Sequence, residues 1–216
     1  MKNSCITRAL LTALIICFPV LSGAQQVEIL DTDGPGYAES CTSIMVGKAA
    51  STDGSVMTAH TCDGNYRTWL EIVPAKNHPA GTMHPVYWGT LHTEASWDMT
   101  GVTKKGEIAE AAATYAYLST AYPCLNEKQL AIGETTIYGR KELYNDAGLF
   151  LIEELEKIVL GRCTTAREAI KLIGTLTKDF GYGDYAECIT LADKKEVWQL
   201  EIAGSGPGKP ESLWAA

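Results

Sequence analysis

What the sequence lacks narrows the field first. No block of lysines and arginines interleaved with aromatics occurs, and the formal net charge is −8 with an isoelectric point near 5.0. Both argue against nucleic acid and anionic membrane surfaces as partners. No Cys-x-x-Cys pair occurs, and the cysteines and histidines do not gather at zinc-finger spacing. Asp31 and Asp33 have the acidity of a calcium loop but no EF-hand follows them. No metal or cofactor is therefore assigned. Internal repeats and low-complexity tracts are absent, and no apolar run beyond the first residues could span a bilayer, so stable membrane insertion is not expected.

What is present begins with a targeting pattern. Lys2 and Arg8 precede the apolar stretch Ala9 to Leu21, and Ser22-Gly23-Ala24 supplies small residues for cleavage. Residues 1–24 are read as a signal peptide, with export to a periplasmic or extracellular space. Residues 25–40, polar, acidic and rich in Gly and Pro, are read as a linker or short propeptide. The remainder, 41–216, holds enough of the 46% hydrophobic content for one cored domain. GSGPGKPESLWAA stops as Ser212-Leu213-Trp214 looks ready to continue a structured segment, so the chain is expected to be part of a longer protein. Of seven cysteines, Cys5 and Cys17 lie in the leader. Cys41, Cys62, Cys124, Cys163 and Cys188 remain, an odd number for an oxidising compartment. For Cys62 a disulfide is favoured over a second thiol beside a site.

The coarse pattern is strands, then helices, then strands. Thr42 to Lys48 and Ser55 to His60 read as an antiparallel pair turned at Asp53-Gly54, with Cys41 at the head of the first strand and His60 and Asp63 near the end of the second. Residues 64–105 read as irregular short strands, with Trp69, Trp88 and Trp97 assigned to the core. Glu107 to Ala121 fits helix or strand. NEKQLAIGETT reads as a turn and a short strand. Leu149 to Leu160 has helical periodicity, with Glu153, Glu154 and Glu156 on a solvated face. A second helix starts with Thr164 as N-cap and runs to about Phe180. Cys188 to Ala192 and Glu196 to Ala203 form a hairpin around Asp193-Lys194-Lys195. Helices set between strand pairs imply layered packing.

Cys41 raises the chemical question. A thiol is a nucleophile only as thiolate, and its free pKa of about 8.5 keeps most of it protonated at neutral pH. None of His60, His78, His84 and His92 lies in a papain-like context. Were the bond after Ser40 cut, Cys41 would gain an α-amino group, and a pKa of about 7.7–8.0 suits a general base. Asp63 could orient that amine. The plainer alternatives are that Cys41 is a buried thiol, Asp63 a turn cap, His60 structural or exposed, and GETT a turn with strand threonines and no ligand role.

Four ordered stretches carry a resemblance: CTSIMVGKAASTDGSVMTAHTCD, NEKQLAIGETTIYGRKEL, LFLIEELEKIVLGRCTTAREAIKLI and YGDYAECITLADKKEVWQLEIAGSGPG. Together they resemble dipeptidases of the N-terminal nucleophile (Ntn) hydrolase superfamily, of the dipeptidase-A type, cousins of bile acid hydrolases and penicillin V acylases. The resemblance covers nearly everything from Cys41 onward. It implies an α+β, four-layer αββα sandwich, incomplete in this chain, and amide hydrolysis with dipeptides as substrates. It implies Cys41 as the nucleophile freed by removal of residues 1–40, and Asp63 as the acidic residue at its α-amino group. His60 falls where many relatives carry arginine, a departure that weakens thiolate stabilisation. Thr136, in GETT, matches a polar residue that helps hold the developing oxyanion in the bile acid hydrolases. An acyl-amide hydrolase on the same framework and a catalytically silent exported binding module are the alternatives, and self-assembly into a homo-oligomer is left open.

Overall fold

In this computed structural model the described residues are 41–62, 64, 66–209 and 211–216. The expected leader, the linker before Cys41 and Asp63 all lie outside them. The fold is α+β, with mostly antiparallel strands and two helices.

The first two strands, β1 (Cys41–Val46) and β2 (Met57–Cys62), form a hairpin of their own. Its register sets Cys41 opposite Cys62 and Ser43 opposite His60. The expected pairing of the strand ends is observed, but the connection is wider than a tight Asp-Gly turn, with Gly54 at φ 75° inside it. The region expected to be irregular supplies β3 (Glu71–Val73), β4 (Lys76–Asn77) and β5 (Met83–Trp88). The ambiguous stretch after it is strand, not helix. β6 (Thr103–Ala109) pairs with β5, β7 (Ala113–Thr114) with β4, and β8 (Tyr117–Ser119) with β3. Threonines and tyrosines among the alanines favour a pleated surface over a helix.

Next come β9 (Leu125–Asn126), β10 (Ala131–Thr136), α1 (Ile152–Arg162), α2 (Ala166–Phe180), β11 (Ala186–Ala192), β12 (Val197–Gly204) and β13 (Ser212–Ala215). They build a seven-stranded sheet in the order β13-β12-β11-β10-β9-β8-β3. Asn126 ties the turn before β10 to the end of α1: its Nδ2 donates to the carbonyls of Leu160 and Cys163, and its Oδ1 accepts from the amides of Lys128 and Leu130.

Side-chain alternation on β10 and β11 divides the layers. Ile132, Ile189 and Leu191 join Leu155, Ile158, Leu160 and Ile173 of the helices in the main core. Gly133, Thr135 and Thr190 point the other way, toward the β1–β2 hairpin. The central sheet is thus covered by helices on one face and, over β10 and β11, by the hairpin on the other.

α2 is amphipathic, with Ala166, Ala169, Ile173, Leu176 and Thr177 buried at helical spacing. Its N-cap is Thr165, not Thr164. Thr165 accepts from the amide of Glu168, whose carboxylate accepts from the Thr165 amide, a capping box. Thr164 adds to it by donating both its amide and its hydroxyl to the same carboxylate.

α1 departs from expectation more sharply. Nine of its eleven residues are buried, and Glu153, Glu154 and Glu156 are among them, at 1%, 2% and 1% exposure. The helix runs between the sheet and the β5–β8 region, so it has no broad face left for water. Lys157 neutralises Glu154 and also donates to the Thr90 hydroxyl. The core assignment of the tryptophans holds for none fully: Trp69 and Trp88 are half-buried, their indoles donating to the carbonyls of Thr93 and Leu149, and Trp97 is 82% exposed. No helix among the described residues is long and apolar enough to cross a membrane.

Candidate active site

The hairpin docks by side chains of one parity. From β1, Ser43 Oγ contacts Thr135 Oγ1 and donates to the Glu134 carbonyl at 3.4 Å. From β2, Thr58 Oγ1 and Thr190 Oγ1 share a hydrogen bond of 2.6 Å. Between these polar pins the His60 ring lies on Gly133. A Cβ at position 133 would stand 2.9 Å from His60 Nδ1 and 2.8 Å from Thr190 Oγ1, so only glycine admits this approach.

The alternation that turns Ser43, Thr58 and His60 toward the sheet, half-buried, brings Cys41 and Cys62 to the same end of the hairpin. Both are half-buried and both are thiols, so Cys62 is a second thiol beside the site and not a disulfide partner. The two sulfurs and a carboxylate oxygen of Glu134 all lie within 4.8 Å of one another. Cys41 therefore stands at the head of its strand, reachable from solvent, against a buried acid.

The electrostatics around it are set by burial. Burial pushes the Cys62 thiol well up, with Glu134 and Cys41 adding to the shift, so Cys62 stays protonated. Burial also lowers the pKa of His60, which leaves its imidazole neutral and edge-on to Tyr122, with ring centroids 6.5 Å apart. No fixed positive charge comes from this position. Glu134 is fully buried and its carboxyl is raised by burial. Glu187 and Glu156 are held well above the ordinary carboxylate range, first by burial and next by Glu134. Burial of these carboxyls disfavours their ionised forms, and each makes ionisation of its neighbours harder.

Among the residues singled out from the sequence, Cys41 and His60 share the docked face of the hairpin. Thr136 closes β10 opposite Glu187, two residues beyond Glu134, while its neighbour Thr135 makes the contact to the hairpin. Sequence reasoning passed over Glu134 and ranked a disulfide for Cys62 above a second thiol at the site. Glu134 carried a signal: an acid within the short strand expected over AIGETT.

Beside this site, a groove of about 610 Å³ runs along β2 past His60, lined also by Cys124, Gln129 and Lys194. Neither Cys41 nor Cys62 lines it.

The family model for peptidase family C69 matches residues 40–216. The chain belongs to that family. It is 28% identical over 191 residues to a probable dipeptidase of Salmonella dublin, covering 80% of this chain and 40% of that protein. It is 28% identical over 176 residues to probable dipeptidase B of Lactococcus lactis subsp. lactis, covering 76% and 35%. A dipeptidase of Bifidobacterium longum is 26% identical over 187 residues, covering 76% and 33%. The chain thus spans two fifths or less of the length of these curated relatives.

Proposed function

We propose that this chain carries the nucleophile-bearing part of an exported cysteine dipeptidase, in which Cys41 becomes the N-terminal residue and its own α-amine serves as base. The observation that carries the reading is the position of Cys41: a half-buried thiol on the first residue of β1, in a chain whose family match begins at residue 40. The names of the relatives supply the substrate class, dipeptides.

Processing starts with attack of the Cys41 thiol on the Ser40 carbonyl. The C–N bond breaks as the thioester forms, and water then releases residues 1–40 and frees the amine. In turnover the amine accepts the thiol proton. The thiolate adds to the dipeptide carbonyl, hydrogen-bond donors stabilise the oxyanion, and the ammonium returns the proton to the leaving amine. Water hydrolyses the resulting thioester. Cys62, held protonated, is no rival nucleophile. Asp63 is assigned to the α-amine and Thr136 to the oxyanion. Neutral His60 serves as packing for the hairpin and leaves thiolate stabilisation to other groups. The finer architecture belonging to this reading is an αββα sandwich, of which the helix layer, the central sheet and the hairpin are the part in this chain, with residues 1–24 as signal peptide and 25–40 as propeptide.

N-terminal sequencing of the mature protein, together with dipeptide hydrolysis by wild type and Cys41→Ala, tests the proposal. A terminus at Cys41 and loss of turnover in the variant are expected. Full activity with the Ser40–Cys41 bond intact, or in Cys41→Ala, overturns it. A panel that includes N-acyl amino acids and bile salts separates a dipeptidase from an acyl-amide hydrolase.

A further inference from the structure

The triad of Cys41, Cys62 and Glu134 has a property that hydrolysis does not use. Its donor atoms come from three strands, β1, β2 and β10, and sit within 4.8 Å of one another. Glu134 is 0% exposed, and its carboxyl meets only the Cys62 thiol and the Glu187 carboxyl, with no well-aligned donor among the described residues. A buried carboxylate in that condition is costly and rare. Among the described residues, the charged-type side chains named against it are themselves acids, Glu187 and Glu156.

We propose that Cys41, Cys62 and Glu134 form a binding site for a soft divalent cation of the zinc class. Two sulfurs and one carboxylate oxygen are a three-ligand set for a tetrahedral ion, with the fourth position left for water. Zinc–sulfur bonds of about 2.3 Å place tetrahedral ligands roughly 3.8 Å apart, so a small side-chain contraction from the present spacing suffices. The hard ions magnesium and calcium demand more oxygen ligands than the site offers. The antiparallel register fixes the two cysteines opposite each other, and the Ser43 and Thr58 hydrogen bonds hold the hairpin on β10 and β11, so the donors are held in place before the ion arrives.

Binding is an exchange of protons for metal. The ion displaces one proton from each thiol and the proton of the Glu134 carboxyl where it is present, and forms two metal–sulfur bonds and one metal–oxygen bond. No redox step is involved. The affinity accordingly rises with pH. If Cys41 is the nucleophile, as proposed above, the bound ion occupies its sulfur and zinc is an inhibitor. That consequence rests on the functional reading, while binding itself does not.

The test is a titration of the reduced, metal-free full-length protein with Co(II) and Cd(II), read by thiolate-to-metal charge-transfer absorption and followed by competition with Zn(II). Saturation at one equivalent is expected. Cys62→Ser and Glu134→Gln should each weaken binding by about 10-fold or more, with folding checked by circular dichroism. Cys188→Ser, which removes a half-buried thiol from β11, should change nothing. A second readout needs no variant: Zn(II) should protect Cys41 from iodoacetamide while the rate at Cys188 stays as it is without metal. No charge-transfer band at one equivalent, a band unaffected by Cys62→Ser or Glu134→Gln, or equal alkylation of Cys41 with and without zinc overturns the site. Metal binding in a protein inactive on dipeptides leaves the site standing and removes the functional reading. Dipeptidase activity without metal binding does the reverse.

Discussion

His60 rests on the backbone of Gly133, with its ring where the side chain of any other residue would have to be. This contact and the flanking hydroxyl pairs, Ser43 with Thr135 and Thr58 with Thr190, fasten the hairpin that bears Cys41 to the central sheet. Gly133→Ala should push His60 off the sheet and lower stability by about 1–3 kcal/mol, the range for overpacking a tight site. Chemical denaturation measures the loss. On the function proposed above, the same variant should also lower dipeptide turnover, because Cys41 rides on the displaced strand pair. Unchanged stability would mean that the hairpin is not held at this point.

Cys41 and Cys62 are both half-buried, but burial and Glu134 keep the Cys62 thiol protonated. Timed alkylation at neutral pH followed by peptide mass mapping should therefore label Cys62 far more slowly than an ordinary exposed thiol, and slower than Cys41 in the processed protein. Equal rates at the two positions would contradict the assignment of nucleophile and bystander.

Stability should fall as pH rises through the neutral range. Burial, with Glu154 adding to it, raises the Glu153 carboxyl from an ordinary 4.5 to about 7, against the opposing pull of Lys157 and Arg67. Below the ordinary value both folded and unfolded states hold the proton, and the stabilisation is fully present. Above it the unfolded chain gives up its proton first, so stability is lost until the native group ionises near pH 7. Glu156 and Glu187, raised by the same burial, extend the decline upward. Glu110 and Asp193 are lowered and act at the acid end, where their contribution is lost as pH falls. Melting temperature should thus decrease from about pH 5 to about pH 8, and Glu153→Gln should flatten part of the slope. A rise over that interval would refute the burial of these acids.

The capping box of α2 gives a local check. Thr165→Ala removes the hydroxyl that accepts from Glu168 and should cost about 1 kcal/mol, whereas an alanine at Thr164 leaves the box intact and should cost less. Equal losses would return the cap to Thr164.

The parts of this fold legible in the sequence were those governed by short-range pattern. The β1–β2 and β11–β12 pairs, the strand of GETT and the two helices follow from alternation, turn residues and helical period. The inward turn of Glu153, Glu154 and Glu156 was not legible. A run of acids on a helix normally signals water, and only the wrapping of α1 by sheet and short strands overrides that preference. The N-cap was misplaced by one residue because both Thr164 and Thr165 precede the helix, and only the reach of Glu168 distinguishes them. At the site, the position of Cys41 at a strand head was readable, and its resemblance to a peptidase family gave it a chemistry. The gathering of Cys62 and Glu134 around it was hidden because those residues are far apart in the chain and meet only through the stacking of the hairpin on β10.

The hairpin carrying Cys41 is positioned from its flank rather than from its tip. Its pins sit along β1 and β2, while the connection from Gly47 to Val56 has little to do with where the sulfur ends up. Trimming or replacing that connection is therefore a change the Cys41 end should barely feel, whereas a slip of one residue along either strand would turn the thiol outward. The tip of the hairpin is thus an attachment point, open to a tag or a fluorophore that reports on the sulfur without touching it.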